Sequence, residues 1–209
     1  MRIAKEGYPI ILSAAVLSVG TFAVEWKPIG LILLLLTLAI AAFFRDPERT
    51  PPLGEGLIVS PADGTVVSVA DVKDESAFPE AVTRISIFLS PLDVHINRAP
   101  VEGKIEEVKY SPGKFIAAYK GEACERNEQN TLHIADSEGR KLGVVQIAGV
   151  LARRIVCRVK PGQELSRGQR FGLIMFGSRT DTYLPSECRI EVREGQRVKG
   201  GETVLGRFV

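Results

Sequence analysis

The chain has 209 residues, 45% of them apolar, and carries a net charge of +2 at neutral pH. That length holds one domain with an appendage, and the near balance of charge argues against nucleic acid as the main partner. Three cysteines, Cys124, Cys157 and Cys188, stand far apart without metal-ligand spacing, so they read as free thiols in a reducing compartment, and no CxxC or His-rich cluster suggests a metal.

Apolar residues crowd the start of the chain. No charge occurs from Tyr8 to Val24 or from Pro28 to Phe44, and Glu25-Trp26-Lys27 separates the two runs. Each run is near the lower limit of roughly 17 to 25 residues for a spanning helix. The spacing predicts a helical hairpin over residues 1–44 that associates with the bilayer. Arg2 and Lys5 precede it and Arg45 and Arg49 follow, so the positive-inside preference places the remaining domain, 45–209, on the cytoplasmic side of the cell membrane. A cleaved signal peptide and a pair of helices lying in the interface are the competing readings, although no clear small-x-small cleavage site follows.

FFRDPERTPP, from Phe43 to Pro52, has three prolines and reads as an extended connector whose arginines suit lipid phosphates. LIVSPADGTVVSVADV then gives a strand, a turn over Pro61–Gly64 and a second strand. Asp63 in that turn either holds the bend as an Asx-turn or serves as a carboxylate that orients a histidine. Val82 to Leu89 alternates as a strand ending at Ser90-Pro91. His95 follows, among Asp93, Asn97 and Arg98. The chain has two histidines. His133 lies between Leu132 and Ile134, which point to the opposite face of a strand, so it reads as solvated and leaves His95 as the candidate base. VEGKIEEVKYSPGKF reads as a strand pair turning at Pro112-Gly113. AYKGEACERNEQN reads as a polar loop or short helix, and a hairpin turning at Ser137 to Gly139 follows it.

From Ile155 onward an internal repeat appears. CRVKPGQELSRGQRFGLI and IEVREGQRVKGGETVLGRF share valine, a glycine turn, a second glycine and a final apolar strand at closely similar spacing. The pattern resembles lipoyl and biotinyl carrier domains, with Lys199 as the nearby lysine. The fold expected is mainly β, a β-sandwich or barrel-sandwich hybrid core with an N-terminal hydrophobic helical hairpin. Phe171 to Phe176 reads as a buried strand ending at Gly177-Ser178, followed by the polar Arg179, Thr180, Asp181 and Thr182. Gly177 has no Cβ, so its carbonyl is open to close approach by the Ser178 hydroxyl. The plain alternative for this Gly-Ser pair is a turn.

SPADG, FLSPLDVHINRAPVEG and FGSRTDTYLP, in this order behind FFRDPERTPP, resemble the phosphatidylserine decarboxylase family, in particular its short, archaeal-type branch. The resemblance implies self-processing, in which Ser178 attacks the Gly177 carbonyl, the amide becomes an ester, and elimination with loss of ammonia leaves a pyruvoyl group. A large chain, 1–177, and a small chain, 178–209, result. The amine of phosphatidylserine then forms a Schiff base with the pyruvoyl group, carbon dioxide leaves, and phosphatidylethanolamine is released. His95 backed by Asp63 is the base for the first attack. Arg126-Asn127-Glu128 also matches a family motif. The better-known long branch has two histidines three residues apart where this chain has His95 and Arg98. His95 is therefore expected to serve both processing and the later proton transfer, and Arg98 to bind the substrate carboxylate or phosphate as a fork donor. The alternatives are an archaetidylserine decarboxylase of the same mechanism, a membrane-anchored carrier or adaptor, and a Ser-His-Asp hydrolase built from the same three residues. Oligomeric state is left open.

Overall fold

A computed structural model describes residues 2–72, 82–113, 127–149, 154–175 and 178–209, and divides into two compact units, Met1–Glu48 and Arg49–Val209. In the first unit a short strand, β1 (Arg2–Ile3), pairs with β2 (Arg45–Asp46), and between them run the helices α1 (Tyr8–Ala23) and α2 (Lys27–Phe43). Each helix carries proline in its first turn, where the missing N–H costs no intrahelical bond. The helices turn back on one another through Glu25, which adopts a φ of 62°. At the turn Ser18 Oγ donates to the Gly30 carbonyl at 2.9 Å, and a Cβ on Gly30 would lie 2.9 Å from the Phe22 ring. The expected hairpin is therefore present, held close by a small residue. Lys5–Ala23 is long and apolar enough to cross a membrane by length and composition, while α2, with 17 residues, is shorter. Both helices expose large apolar side chains, among them Leu12, Val16, Val19 and Ile32.

The second unit is mainly β. Its strands are β3 (Leu57–Val59), β4 (Gly64–Val72), β5 (Val82–Leu89), β6 (Ile96–Arg98), β7 (Gly103–Ser111), β8 (Gln129–Ala135), β9 (Lys141–Ile147) and β10 (Ile155–Cys157). They continue with β11 (Glu164–Leu165), β12 (Arg170–Ile174), β13 (Ser178–Pro185), β14 (Cys188–Ile190), β15 (Arg197–Val198) and β16 (Val204–Phe208). A curled eight-stranded sheet has the order β11-β7-β8-β9-β13-β5-β4-β15, and two three-stranded sheets, β10-β12-β6 and β14-β16-β3, accompany it. Alternation decides which side chains face inward. Ile85 and Ile87 of β5, Leu132 and Ile134 of β8, Leu142 and Val144 of β9 and Leu184 of β13 form one buried cluster with Phe171 of β12 and Leu205 of β16. His133 lies on the opposite face from Leu132 and Ile134, as the alternation predicts, but is half-buried rather than fully solvated.

The repeat is real in three dimensions. Strands β10, β11 and β12 follow the same long-short-long course as β14, β15 and β16, and both copies turn at glycines in the left-handed region: Gly162 and Gly168 at φ 88° and 76°, Gly195 and Gly201 at 81° and 79°. Side chains with a Cβ rarely adopt that backbone, which is why glycine recurs there.

One local expectation is changed. The polar residues after Gly177 do not merely trail from a strand end; Ser178–Pro185 is itself a strand, paired along its whole length with β5 and over Arg179–Tyr183 with β9. Branched Thr180 and Thr182 and aromatic Tyr183 suit a pleated strand, and the charged members neutralise each other inside the sheet. Arg179 Nε and Nη2 donate to Asp181 Oδ1 and Oδ2 at 2.6 and 2.8 Å, and Nη2 also donates to Ser86 Oγ at 2.7 Å. Cys188 is buried, and burial first, with Glu187 adding, pushes its thiol up to about 11, so it is inert at neutral pH. Cys124, Arg126, most of the expected polar loop, Phe176 and Gly177 lie outside the described residues.

Candidate active site

Ser178 opens β13 opposite Leu89 of β5. It is fully buried, and its Oγ makes no hydrogen bond to any described residue. A buried hydroxyl left in this state costs about 1–3 kcal/mol and calls for a chemical explanation.

His95 follows β5 and precedes β6. Its carbonyl accepts the Ile174 N–H at 3.3 Å, which sets it beside the last residue of β12, on the chain that leads into Ser178. The side chain is 2% exposed, with Nδ1 2.9 Å from the Asp93 carbonyl oxygen. A carbonyl only accepts, so Nδ1 carries the proton and Nε2 holds the basic lone pair. The sequence pattern did not single out Asp93 for this task.

Asp93 is itself held from two directions. Its Oδ2 accepts the Ser90 N–H at 2.8 Å and Arg197 Nη1 at 3.2 Å, and its Oδ1 accepts Arg197 Nη2 in a very short contact. Burial opposes ionisation of this carboxyl, but the hydrogen bonds from Arg197 and Ser90 outweigh it and hold the group below its ordinary value of 3.8. The same fork, led by the hydrogen bond to Asp93, raises Arg197 further above its ordinary value.

Asp63 sits in the turn between β3 and β4, with its carboxylate largely shielded. Arg49 Nη2 donates to its Oδ2 at 2.8 Å and the Gly200 N–H to its Oδ1 at 2.7 Å, while Arg49 Nη1 reaches Glu202 Oε2 at 3.0 Å. Thus the hydrogen bonds seen at Asp63 go to Arg49 and Gly200, and the one seen at the His95 ring goes to Asp93. The two segments are joined through the backbone, where the Arg98 N–H donates to the Pro61 carbonyl at 2.9 Å. Arg98 is 4% exposed; its Nη1 donates to the Gly168 carbonyl at 3.0 Å, and a Cβ on Gly201 would fall 2.8 Å from its Cδ. Arg98 and Asp63 therefore converge on the Gly200-Gly201 turn, whereas Ser178 heads β13 and His95 bonds the last residue of β12 through its backbone.

A buried polar file also runs from β8 through β9 to β6. Gln146 of β9 stands opposite Thr180; its Nε2 donates to Asn97 Oδ1 at 2.8 Å and its Oε1 accepts Asn130 Nδ2 at 3.0 Å. The glutamine crosses from the large sheet to the β6-β12-β10 layer over Gly172, where a Cβ would lie 3.0 Å from Nε2 and 2.2 Å from the Val156 carbonyl. Asn97 Nδ2, Thr180 Oγ1 and Thr182 Oγ1 are buried without a hydrogen bond to a described residue. These groups were missed because none carries charge or a motif; the signal available was a run of buried amides at facing strand positions. Among the described residues no cluster of His, Cys, Asp or Glu could hold a metal ion.

The arrangement places a hydroxyl inside the protein, at the start of a central strand, and a buried histidine whose backbone bonds the last residue of the strand before it. A fully buried Oγ is closed to an external ester. The family model for phosphatidylserine decarboxylase matches residues 36–206. The chain is similar to the phosphatidylserine decarboxylase proenzyme of Geotalea uraniireducens (strain Rf4), at 45% identity over 98% of this chain and 95% of that one. It is 42% identical to the proenzyme of the same name from Syntrophus aciditrophicus (strain SB), over 99% of this chain and 97% of the relative. A third, from Nitrobacter winogradskyi (strain ATCC 25391 / DSM 10237 / CIP 104748 / NCIMB 11846 / Nb-255), is 46% identical over 97% of this chain and 83% of its own.

Proposed function

The chain belongs to the phosphatidylserine decarboxylase family, and from that premise we propose that it converts phosphatidylserine to phosphatidylethanolamine with a pyruvoyl group made from its own Ser178. The single observation that carries the reading is the buried Ser178 Oγ, unbonded among the described residues at the head of β13, beside the histidine segment. A hydroxyl in that position fits the precursor of such a group better than a surface nucleophile. The ketone supplies the electrophile that decarboxylation of an α-amino acid needs, receiving the substrate's amine and the electron pair released with carbon dioxide.

In this reading His95 Nε2 takes the Ser178 proton as the hydroxyl attacks the Gly177 carbonyl, because Nδ1–H is committed to Asp93. The same nitrogen then holds the proton that is returned to the lipid. Asp63 contributes a fixed negative charge, kept in place by Arg49 and Gly200. Arg98 is carried as the anion-binding partner by its place three residues after His95; its burial means that the carboxylate or phosphate it meets is drawn into the interior. The hairpin of residues 1–44 would anchor the domain at the cytoplasmic face of the membrane. A domain working away from the bilayer would have to lift acyl chains out at ~0.8 kcal/mol per methylene.

A denaturing gel with intact-mass measurement on natively expressed protein tests the proposal. Two fragments are expected, split before Ser178, with a blocked small fragment and release of carbon dioxide from phosphatidylserine. Ser178→Ala should remain one inactive chain, His95→Ala should cut poorly, and Arg98→Ala should raise KM. A wild-type chain that stays whole and ignores aminolipids refutes the reading.

A further inference from the structure

We propose that Arg197, in the segment downstream of Ser178, is the positioning residue that fixes the tautomer of His95, acting through Asp93. The inference rests on the reading of His95 as the base. The geometry is continuous: the Arg197 fork grips both oxygens of the Asp93 carboxylate, the Ser90 N–H adds a third hydrogen bond, and the carbonyl of the same Asp93 receives His95 Nδ1–H. The Asp93 N–H closes the turn onto the Ser90 carbonyl at 2.9 Å, so side chain and backbone of this one residue are both immobilised. Free histidine does not require the Nδ1–H form; a rigid carbonyl facing Nδ1 imposes it, and with it a basic Nε2.

Among the described residues the charged and titratable groups that bear on Asp93 are few. Arg197 on β15 pairs with it directly, Asp63 acts on Arg197 through space, and His95 follows it in the chain. Arg197 pairs opposite Thr65 of β4, which sets the guanidinium from the strand backbone rather than from a loop. The side chain of Asp93 is nearly buried while that of Arg197 is 62% exposed, so the surface end of the link contributes little to stability and its value lies in placement. Because Arg197 belongs to the small fragment and Asp93 and His95 to the large one, the link would also persist across the cut.

The test uses the full chain in detergent with nitrogen-15 in histidine only. Two histidines are present, and His133→Gln assigns the spectrum by difference. Wild type is expected to show His95 protonated at Nδ1 and bare at Nε2. Arg197→Gln should give an exchanging mixture of tautomers and slow self-cleavage, followed in cell-free translation, by roughly tenfold to a hundredfold; Arg197→Lys should restore part of both. Should Arg197→Gln fail to fold, Asp93→Asn, which keeps the carbonyl and removes the charge gripped by the fork, is expected to show the same mixture. A role confined to stability would lower the melting temperature and leave the nitrogen signals alone. The proposal is overturned if wild-type His95 carries its proton on Nε2, or if Arg197→Gln leaves both spectrum and cleavage rate unchanged. If the tautomer responds while His95→Ala still cuts normally, the lock stands and the assignment of His95 as base falls.

Discussion

Removing the carboxylate of Asp181 should destabilise the protein far more than removing any surface ion-pair partner. The Arg179 and Asp181 side chains are 4% and 0% exposed, and Asp181 supplies two of the three hydrogen bonds to the guanidinium, the third coming from Ser86. In Asp181→Ala the arginine charge stays buried with one neutral partner, at a cost of about 3–5 kcal/mol. For a unit of this size each kcal/mol moves the melting midpoint by about 2–4 °C, so the fall expected is about 6–20 °C. The measurement is best made by circular dichroism in a Ser178→Ala background, where unfolding involves one unbroken chain. Arg179→Met with Asp181→Leu removes both charges and should recover most of the loss, because the burial penalty vanishes with the attraction. A midpoint drop below about 3 °C for Asp181→Ala, or a double variant no better than the single one, refutes the reasoning.

Gln146→Leu should cost about 1–3 kcal/mol for each of the two buried amides it strands, Asn97 and Asn130, and chemical denaturation would register it as a lower midpoint. Asp93 has a depressed folded value, so its contribution is present above the ordinary 3.8 and is lost as pH falls through the folded value. The melting-temperature gap between wild type and Asp93→Asn should accordingly close on acidification below that range; a gap that widens there would contradict the ion pair.

What the sequence disclosed were the features encoded by neighbours in the chain. The strand Val82–Leu89 follows its alternation, the helices follow the two uncharged runs, and the repeated glycines mark turns whose backbone side chains with a Cβ rarely adopt. Residues 178–185 were harder, because a polar stretch is buried here only by virtue of β5 and β9 on either side, and those partners lie far away in sequence. Opposite charges two positions apart, Arg179 and Asp181, were the local hint that the strand face neutralises itself. Around the site, His95 and Ser178 stood out by chemistry. The carbonyl of Asp93 could not, since any residue has one; only the folded turn after Ser90 aims it at the ring.

A chain severed ahead of residue 178 would not come apart as two bodies. The shorter piece is threaded through the longer at three places: β13 between β5 and β9, β15 against β4, and β16 against β3. Such a break is a seam in woven cloth rather than a joint. Dilution alone would not part the pieces, and two polypeptides synthesised separately would have to fold around each other before β5 and β9 were joined through β13 into one sheet.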